Sequence, residues 1–359
     1  MSRAAGLSIT LALLVLGAAC RRGEGTSSAR PTDVAGAARA PFAPAAAELR
    51  ADVEVLAAPA MRGRSAGSAE ERAADAHVVA RMQAIGLEPG ADGGSFTQPF
   101  RYPGGGGEVA SANVLGWMAG SDPALAGEYV LVGAHIDHLP PDAAGRVYPG
   151  ADDNASGVAV MLAVAAGWRA RGWTPRRGIL FAGFGAEEDG LRGSTHYASR
   201  PTRVSKLVAM INLDMLGRGV FLDYRDLAVP KALAGIANGP GLGILSGGSA
   251  RLTQLARCMA RASGIPSYAP EDFPLLGPIV EPMTAGRGDF APFQQRGVPF
   301  LFFSTSEHDD YHQPSDTIDT LDPETMRRAA EVVFRTTLAI DAVDDPAGQG
   351  AAIACPLEN

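Results

Sequence analysis

"YVLVGAHIDH", Tyr129 to His138, is a run of apolar and small residues that ends abruptly in His135, Asp137 and His138. An apolar run of this length, without in-and-out alternation, suits a strand covered on both faces, as in a parallel sheet. Three more such runs follow: "ILFAGF" (179–184), "LVAMINL" (207–213) and "VPFLFF" (298–303). Between the first two lies "NASGVAVMLAVAAGWRARG", where Val158, Met161, Leu162, Ala165 and Trp168 fall on one helical face. "ERAADAHVVARMQAIGL" (71–87) and "ETMRRAAEVVFRTTLAID" (324–341) also repeat at helical spacing. Strand, helix, strand in succession predicts an α/β sandwich. In 217–290 only "RLTQLARCMARASG" (251–264) reads as a helix, and the rest predicts loops over one end of the sheet.

Each apolar run leads into acid or histidine. Glu187, Glu188 and Asp189 follow the second, Asp214 follows the third, and "STSEHDDY" carries the fourth to His312. In an open α/β sheet the carboxyl ends of the strands line one crevice, where ligands bind. Taken singly these residues have ordinary explanations: a loop histidine, a solvated "EE" pair, a turn-capping aspartate. Together they predict one site. "GADDNASG", Gly150 to Gly157, adds two aspartates and an asparagine where a helix start needs one capping residue. A crowd of carboxylates without a cation is self-repelling and holds protons instead. Carboxylates and imidazoles without cysteine suit Zn²⁺, and less often Mn²⁺ or Co²⁺.

The bulk numbers narrow the class. The chain has 359 residues, 46% of them hydrophobic, which is enough for one large core or two smaller ones. Its 39 acidic residues outnumber 31 basic ones, and no Lys/Arg-rich block occurs, which argues against nucleic acid. Residues 1–20, "MSRAAGLSITLALLVLGAAC", carry a basic Arg3, an apolar run from Leu7 to Leu16 and small residues, as an export signal does. "LGAAC" resembles a lipobox, which makes Cys20 the lipidated residue of a cell-envelope lipoprotein; plain cleavage and secretion are the alternative. Residues 21–44 are rich in Ala, Gly, Ser and Pro and predict a flexible tether. A catalytic domain is expected over 45–345, and a polar tail over 346–359. Cys258 and Cys355 could pair in an oxidising compartment, and their pairing stays open.

The ordered set "GAHIDH", "GADDNASG", "FGAEEDGLRGS", "NLDMLG" and "YHQPSDT", entered through "GRSAGSAEERAADAHVVARMQAIGLEPG" (63–90), resembles the di-zinc aminopeptidases of metallopeptidase family 28. The resemblance implies a three-layer α/β/α sandwich around a mostly parallel mixed sheet. It implies two zinc ions per chain, His135 and Asp214 on one, Glu188 and His312 on the other, and Asp153 bridging them. Glu187 would be the general base, Asp137 would orient the His135 imidazole, and the substrate would be a peptide with a free N-terminus. It also implies a cis peptide between Asp153 and Asn154, with Asp152 and Asn154 holding the loop. After "TAGR" the chain has Gly288, Asp289 and Phe290 where relatives often show Ser-Asp-His, so Asp289 is retained and the pocket shape differs. A glutaminyl-peptide cyclotransferase on a similar fold with one zinc, and a non-catalytic binding lipoprotein, are the alternatives.

Overall fold

The computed structural model describes residues 29–203, 205–219, 241–272, 286–305, 307–348 and 353–357. Cys20 and the export signal lie outside these residues. The strands, in chain order, are β1 (Glu88–Pro89), β2 (Thr97–Gly104), β3 (Gly107–Met118), β4 (Glu128–His135), β5 (Gly178–Phe184), β6 (Lys206–Leu213), β7 (Leu242–Gly247), β8 (Ser267–Tyr268) and β9 (Phe300–Ser304). The helices are α1 (Val34–Arg39), α2 (Ala46–Leu56), α3 (Ala69–Ile85), α4 (Gly157–Ala170), α5 (Arg192–Ser199), α6 (Ala250–Ala262), α7 (Ala291–Gln294) and α8 (Pro323–Ala342).

The four apolar runs become β4, β5, β6 and β9. They lie side by side in the order β5-β4-β6-β9, and all three pairings are parallel. Because successive side chains leave a strand on opposite faces, each run feeds two cores. Val130, Val132, Phe181, Ile211 and Leu213 pack into a cluster with residues of α2, α3, α4, α6 and α8. Leu131, Leu180, Met210 and Phe300 face the other way, toward Tyr197 of α5 and Phe293 of α7. The result is a mixed sheet with helices on both sides.

The sheet is mixed because its flanks run against its centre. β3 is antiparallel to β5, and β7 is antiparallel to β9. β2 and β3 form a hairpin in which Gly104 faces Gly107, so the Gly-rich run is its turn. Pro99, Pro103 and the alternating burial of β2 hide this hairpin from a search for continuous apolar runs. β7 corrects the expectation of loops there. "FLDYRDLAVP" lies outside the described residues, as does most of "EDFPLLGPIVEP".

Residues 21–44 are not a tether throughout. Asp33 caps α1 through the Gly36 N–H, and Ala37, Ala38, Ala40 and Phe42 are buried. Small residues let this strap approach closely. Phe42 stacks on Phe334 with centroids 4.2 Å apart and occupies the space that a side chain at Gly167 would need. Arg335 donates to the Ala40 carbonyl, and Arg30 pairs with Asp341 at 2.8 Å. The polar tail is also held in part: Cys355 is buried and disulfide-bonded to Cys258 of α6, and the Ile353 N–H donates to Gln254.

Arg64 joins the entry segment to the site end of the sheet. Its guanidinium is fully buried and donates to the carbonyls of Leu56, Ile136, Pro149, Gly150 and Asp153. This planar fork ties α2 to both ends of the loop that follows β4. A lysine has too few donors in the wrong geometry to replace it.

Two outcomes test this packing. Phe42→Ala should lower unfolding free energy by about 3–5 kcal/mol, read by urea denaturation. A loss near zero would mean that the strap does not contribute to the fold. Arg64→Lys should cost at least about 2 kcal/mol in the same assay, because buried carbonyls lose their donors.

Candidate metal centre

The chain leaves β4 for β5 on one side, then crosses back to β6 on the other. The loops after these strands therefore diverge around one crevice, the usual ligand position in such sheets. Non-glycine residues in the left-handed backbone region flank it: Ala186 before Glu187, Met215 after Asp214, and His312 itself. Such conformations persist where the surroundings over-determine them.

The "GADDNASG" turn is held from three directions. Asp316 accepts from the backbone N–H groups of Asp152 and Asp153. Asp152 accepts from the Gly217 N–H and meets His308 Nε2 at 3.1 Å. Asn154 donates to the Leu213 carbonyl and accepts from the N–H groups of Gly157 and Met215. A Cβ at Gly150 would meet the Asp153 carbonyl at 2.3 Å and the His138 ring at 2.5 Å, and Gly150 also has φ +60°. A Cβ at Gly157 would meet Asn154 Oδ1 at 2.1 Å. Both glycines are required by close approach. The peptide between Asp153 and Asn154 is cis.

This turn aims the Asp153 carboxylate between two groups of donors. His135 Nε2 lies 3.2 Å from Asp153 Oδ1 and 3.5 Å from Asp214 Oδ1. On the other side, His312 Nε2 lies 3.1 Å from Asp153 Oδ2 and 3.2 Å from Glu188 Oε2. His138 joins this second group, with Nδ1 2.8 Å from Glu188 Oε1. Its place was visible in "GAHIDH", but the sequence reading assigned it no role.

The residues fit a metal. His135, Asp153 and Asp214 present donor atoms within 4.8 Å of one another, and so do His138, Asp153, Glu188 and His312. Asp153 Oδ2, Glu188 Oε1, Asp214 Oδ1, His312 Nε2 and both nitrogens of His138 are buried without a hydrogen-bond partner among the described residues. Buried polar atoms in native proteins are nearly always satisfied, so such a convergent group marks a missing partner. Oxygen and imidazole donors without thiolate match zinc.

Electrostatics sorts the carboxylates. Burial pushes Asp153 up, but the imidazoles around it, His138 first and then His135 and His312, carry it well below the usual carboxylate range. Glu187 goes the other way: burial dominates, Asp289, Asp214 and Glu188 add repulsion, and the group lies well above its ordinary value despite His135. Asp289 is buried and pushed up to about 7 by burial, with His135 and Ser194 opposing. It lies beside the centre and is not a member of either donor group.

Asp137 differs from expectation. Its carboxylate lies 4.0 Å from His135 Nδ1, while its main-chain carbonyl accepts from that nitrogen at 3.1 Å. The carboxylate instead accepts from the backbone N–H groups of Glu187 and Glu188. Its side chain points across the crevice because β5 is hydrogen-bonded beside β4. Asp137 therefore sets the loop bearing the two glutamates, and the imidazole is oriented by main chain. Arg64 and Asp316 are further positioning residues that pattern reading passed over, since neither differs locally from a surface polar residue.

The comparisons agree with this geometry. The model of Peptidase family M28 matches residues 113–337, from β3 to α8. Aminopeptidase YwaD of Bacillus subtilis is 29% identical over 215 residues, which is 57% of this chain and 40% of that protein. The chain thus spans less than half the length of that relative. In fold it is similar to BSAP, a zinc aminopeptidase from Bacillus subtilis, with TM-score 0.58, 18% identity and coverage of 82% of this chain and 94% of that one. It is equally similar to Porphyromonas gingivalis glutaminyl cyclase, with TM-score 0.58, 20% identity and coverage of 83% and 98%. Since the family match covers most of the chain and contains every donor residue of the centre, this protein belongs to Peptidase family M28.

Proposed function

We propose that this protein is an exported zinc aminopeptidase that removes N-terminal residues from peptides with two metal ions. The observation that carries the reading is the position of Asp153. Its two oxygens face different donor groups at nearly equal distances, 3.2 Å to His135 and 3.1 Å to His312, as a bridging carboxylate requires. His135 and Asp214 would hold one zinc, Glu188 and His312 the other. Zinc bound there supplies a water acidified toward a pKa of about 7 and a Lewis acid for the scissile carbonyl.

The chain's own residues supply the rest. Glu187 immediately precedes Glu188 on a loop fixed by Asp137 and belongs to neither donor group. It accepts the proton of the attacking water and delivers it to the leaving amine as the C–N bond breaks. Burial raises the proton affinity of this carboxyl and so makes it a stronger base than an exposed glutamate. The preference for a free N-terminus is carried over from relatives named as aminopeptidases. The likeness to a glutaminyl cyclase supports a second reading, cyclisation of N-terminal glutamine.

For location, we propose lipidation at Cys20 and retention in the cell envelope, at the outer membrane where one exists. The Cys258–Cys355 disulfide supports an oxidising compartment, since such bonds are rare in the cytosol.

Glu187→Gln should retain zinc and lose about 10²–10⁴ in kcat on aminoacyl-anilides. Wild-type turnover in a folded variant would remove Glu187 as the base. Turnover of N-terminal glutamine peptides to a cyclic product, with none on the anilides, would favour the cyclase. Cys20→Ala should release active enzyme from membranes, and the native chain should incorporate labelled fatty acid. Without incorporation the protein is secreted.

A further inference from the structure

The two donor groups are unequal. One has three members, His135, Asp153 and Asp214; the other has four, His138, Asp153, Glu188 and His312. The extra member is His138, and three facts bear on what it does.

First, its ring is almost wholly buried, 1% exposed, and neither nitrogen makes a hydrogen bond of adequate geometry among the described residues. A histidine kept for structure alone ordinarily has at least one satisfied nitrogen when buried. Second, Nδ1 points at the same two carboxylates as His312 does. It lies 2.8 Å from Glu188 Oε1 and 3.7 Å from Asp153 Oδ2, while His312 Nε2 lies 3.2 Å from the other Glu188 oxygen, Oε2, and 3.1 Å from the same Asp153 Oδ2. The two rings meet edge to face with centroids 5.6 Å apart. Third, the ring's position is set by Gly150, whose lack of a side chain admits it: a Cβ there would come within 2.5 Å of His138 Cγ and Cδ2.

Tetrahedral zinc with nitrogen and oxygen donors at about 2.0–2.2 Å separates neighbouring donors by about 3.3–3.6 Å. The four distances above, 2.8 to 3.7 Å, bracket that value. A simple ion pair between His138 and Glu188 accounts for one of them. It leaves His312 Nε2 and Asp153 Oδ2, aimed at the same point, unsatisfied.

We infer that His138 is a sixth metal ligand, completing a four-donor site with Asp153, Glu188 and His312 beside the three-donor site of His135, Asp153 and Asp214. This rests on the proposed two-metal reading and adds to it. Four protein donors close a zinc site, whereas three leave a position open to water or substrate. The His135 position is then the open one.

The test is a ligand count on purified full-length protein loaded with zinc. X-ray absorption at the zinc edge should show three imidazoles for two ions in the wild type, and two in His138→Ala. Zinc titration by competition with a chelator should show that His138→Ala weakens one of the two sites by ~10²-fold or more, as expected when a donor and not merely its support is lost. His138→Asp restores an oxygen donor and should recover two-zinc binding with one imidazole fewer, which separates ligand loss from misfolding. Two imidazoles for two ions in the wild type would overturn the inference. A wild type that binds one zinc overturns the two-metal reading instead. Two imidazoles on that ion would then retain His138 as a ligand, and one would exclude it.

Discussion

Mutual repulsion among buried carboxylates is the constraint to which the rest of this molecule answers. Asp137, Asp153, Glu187, Glu188, Asp214 and Asp289 converge at one end of a parallel sheet, and burial pushes each of them toward its protonated form. Three imidazoles, His135, His138 and His312, stand against them. A folded chain tolerates such a cluster only where backbone geometry leaves no alternative and a cation belongs between the groups. Both conditions are visible: orphaned donor atoms face inward, and the loops that carry them are fastened at many points.

The fastening is done largely by side chains binding main chain. Arg64 gathers carbonyls from α2 and from both ends of the loop after β4. Asp316 and Asp152 gather N–H groups from the acid-rich turn and from the loop after β6. Asp137 gathers those of Glu187 and Glu188. Asp137 and Asp152 join the loop after β4 to those after its neighbours β5 and β6, Asp316 reaches the same loop from beyond β9, and Arg64 ties it to the entry segment. This is how a site is preorganised: supporting hydrogen bonds hold the ligands before anything binds.

The same logic reaches the chain ends. The strap around Phe42 and the tail around Cys355 cover α4, α6 and α8, on the helical layer that backs the sheet. Both segments are rich in Ala, Pro and Gly, so their composition resembles that of a linker. Alanine, however, buries without side-chain entropy and permits close approach, and one aromatic anchor is enough to seat such a segment. Composition records polarity and flexibility; it does not record whether a matching groove exists elsewhere.

Local pattern was sufficient for the central strands, the flanking helices and the crevice, because continuous apolar runs and helical periods are set by neighbours along the chain. It also put His135, Glu188, Asp214 and, farther along its loop, His312 after strands that a parallel sheet brings to one edge, whereas Asp153 was singled out by the family resemblance. The hairpin of β2 and β3, the pairing of β7 and the docking of the strap were decided elsewhere, by long-range partners that no local window contains. So were the roles of His138, Asp137 and Arg64. Whether a histidine two or three residues past a strand aims inward, or an aspartate reaches an imidazole instead of a backbone N–H, depends on distances between loops. Those distances follow from strand order and register, which only the folded sheet defines.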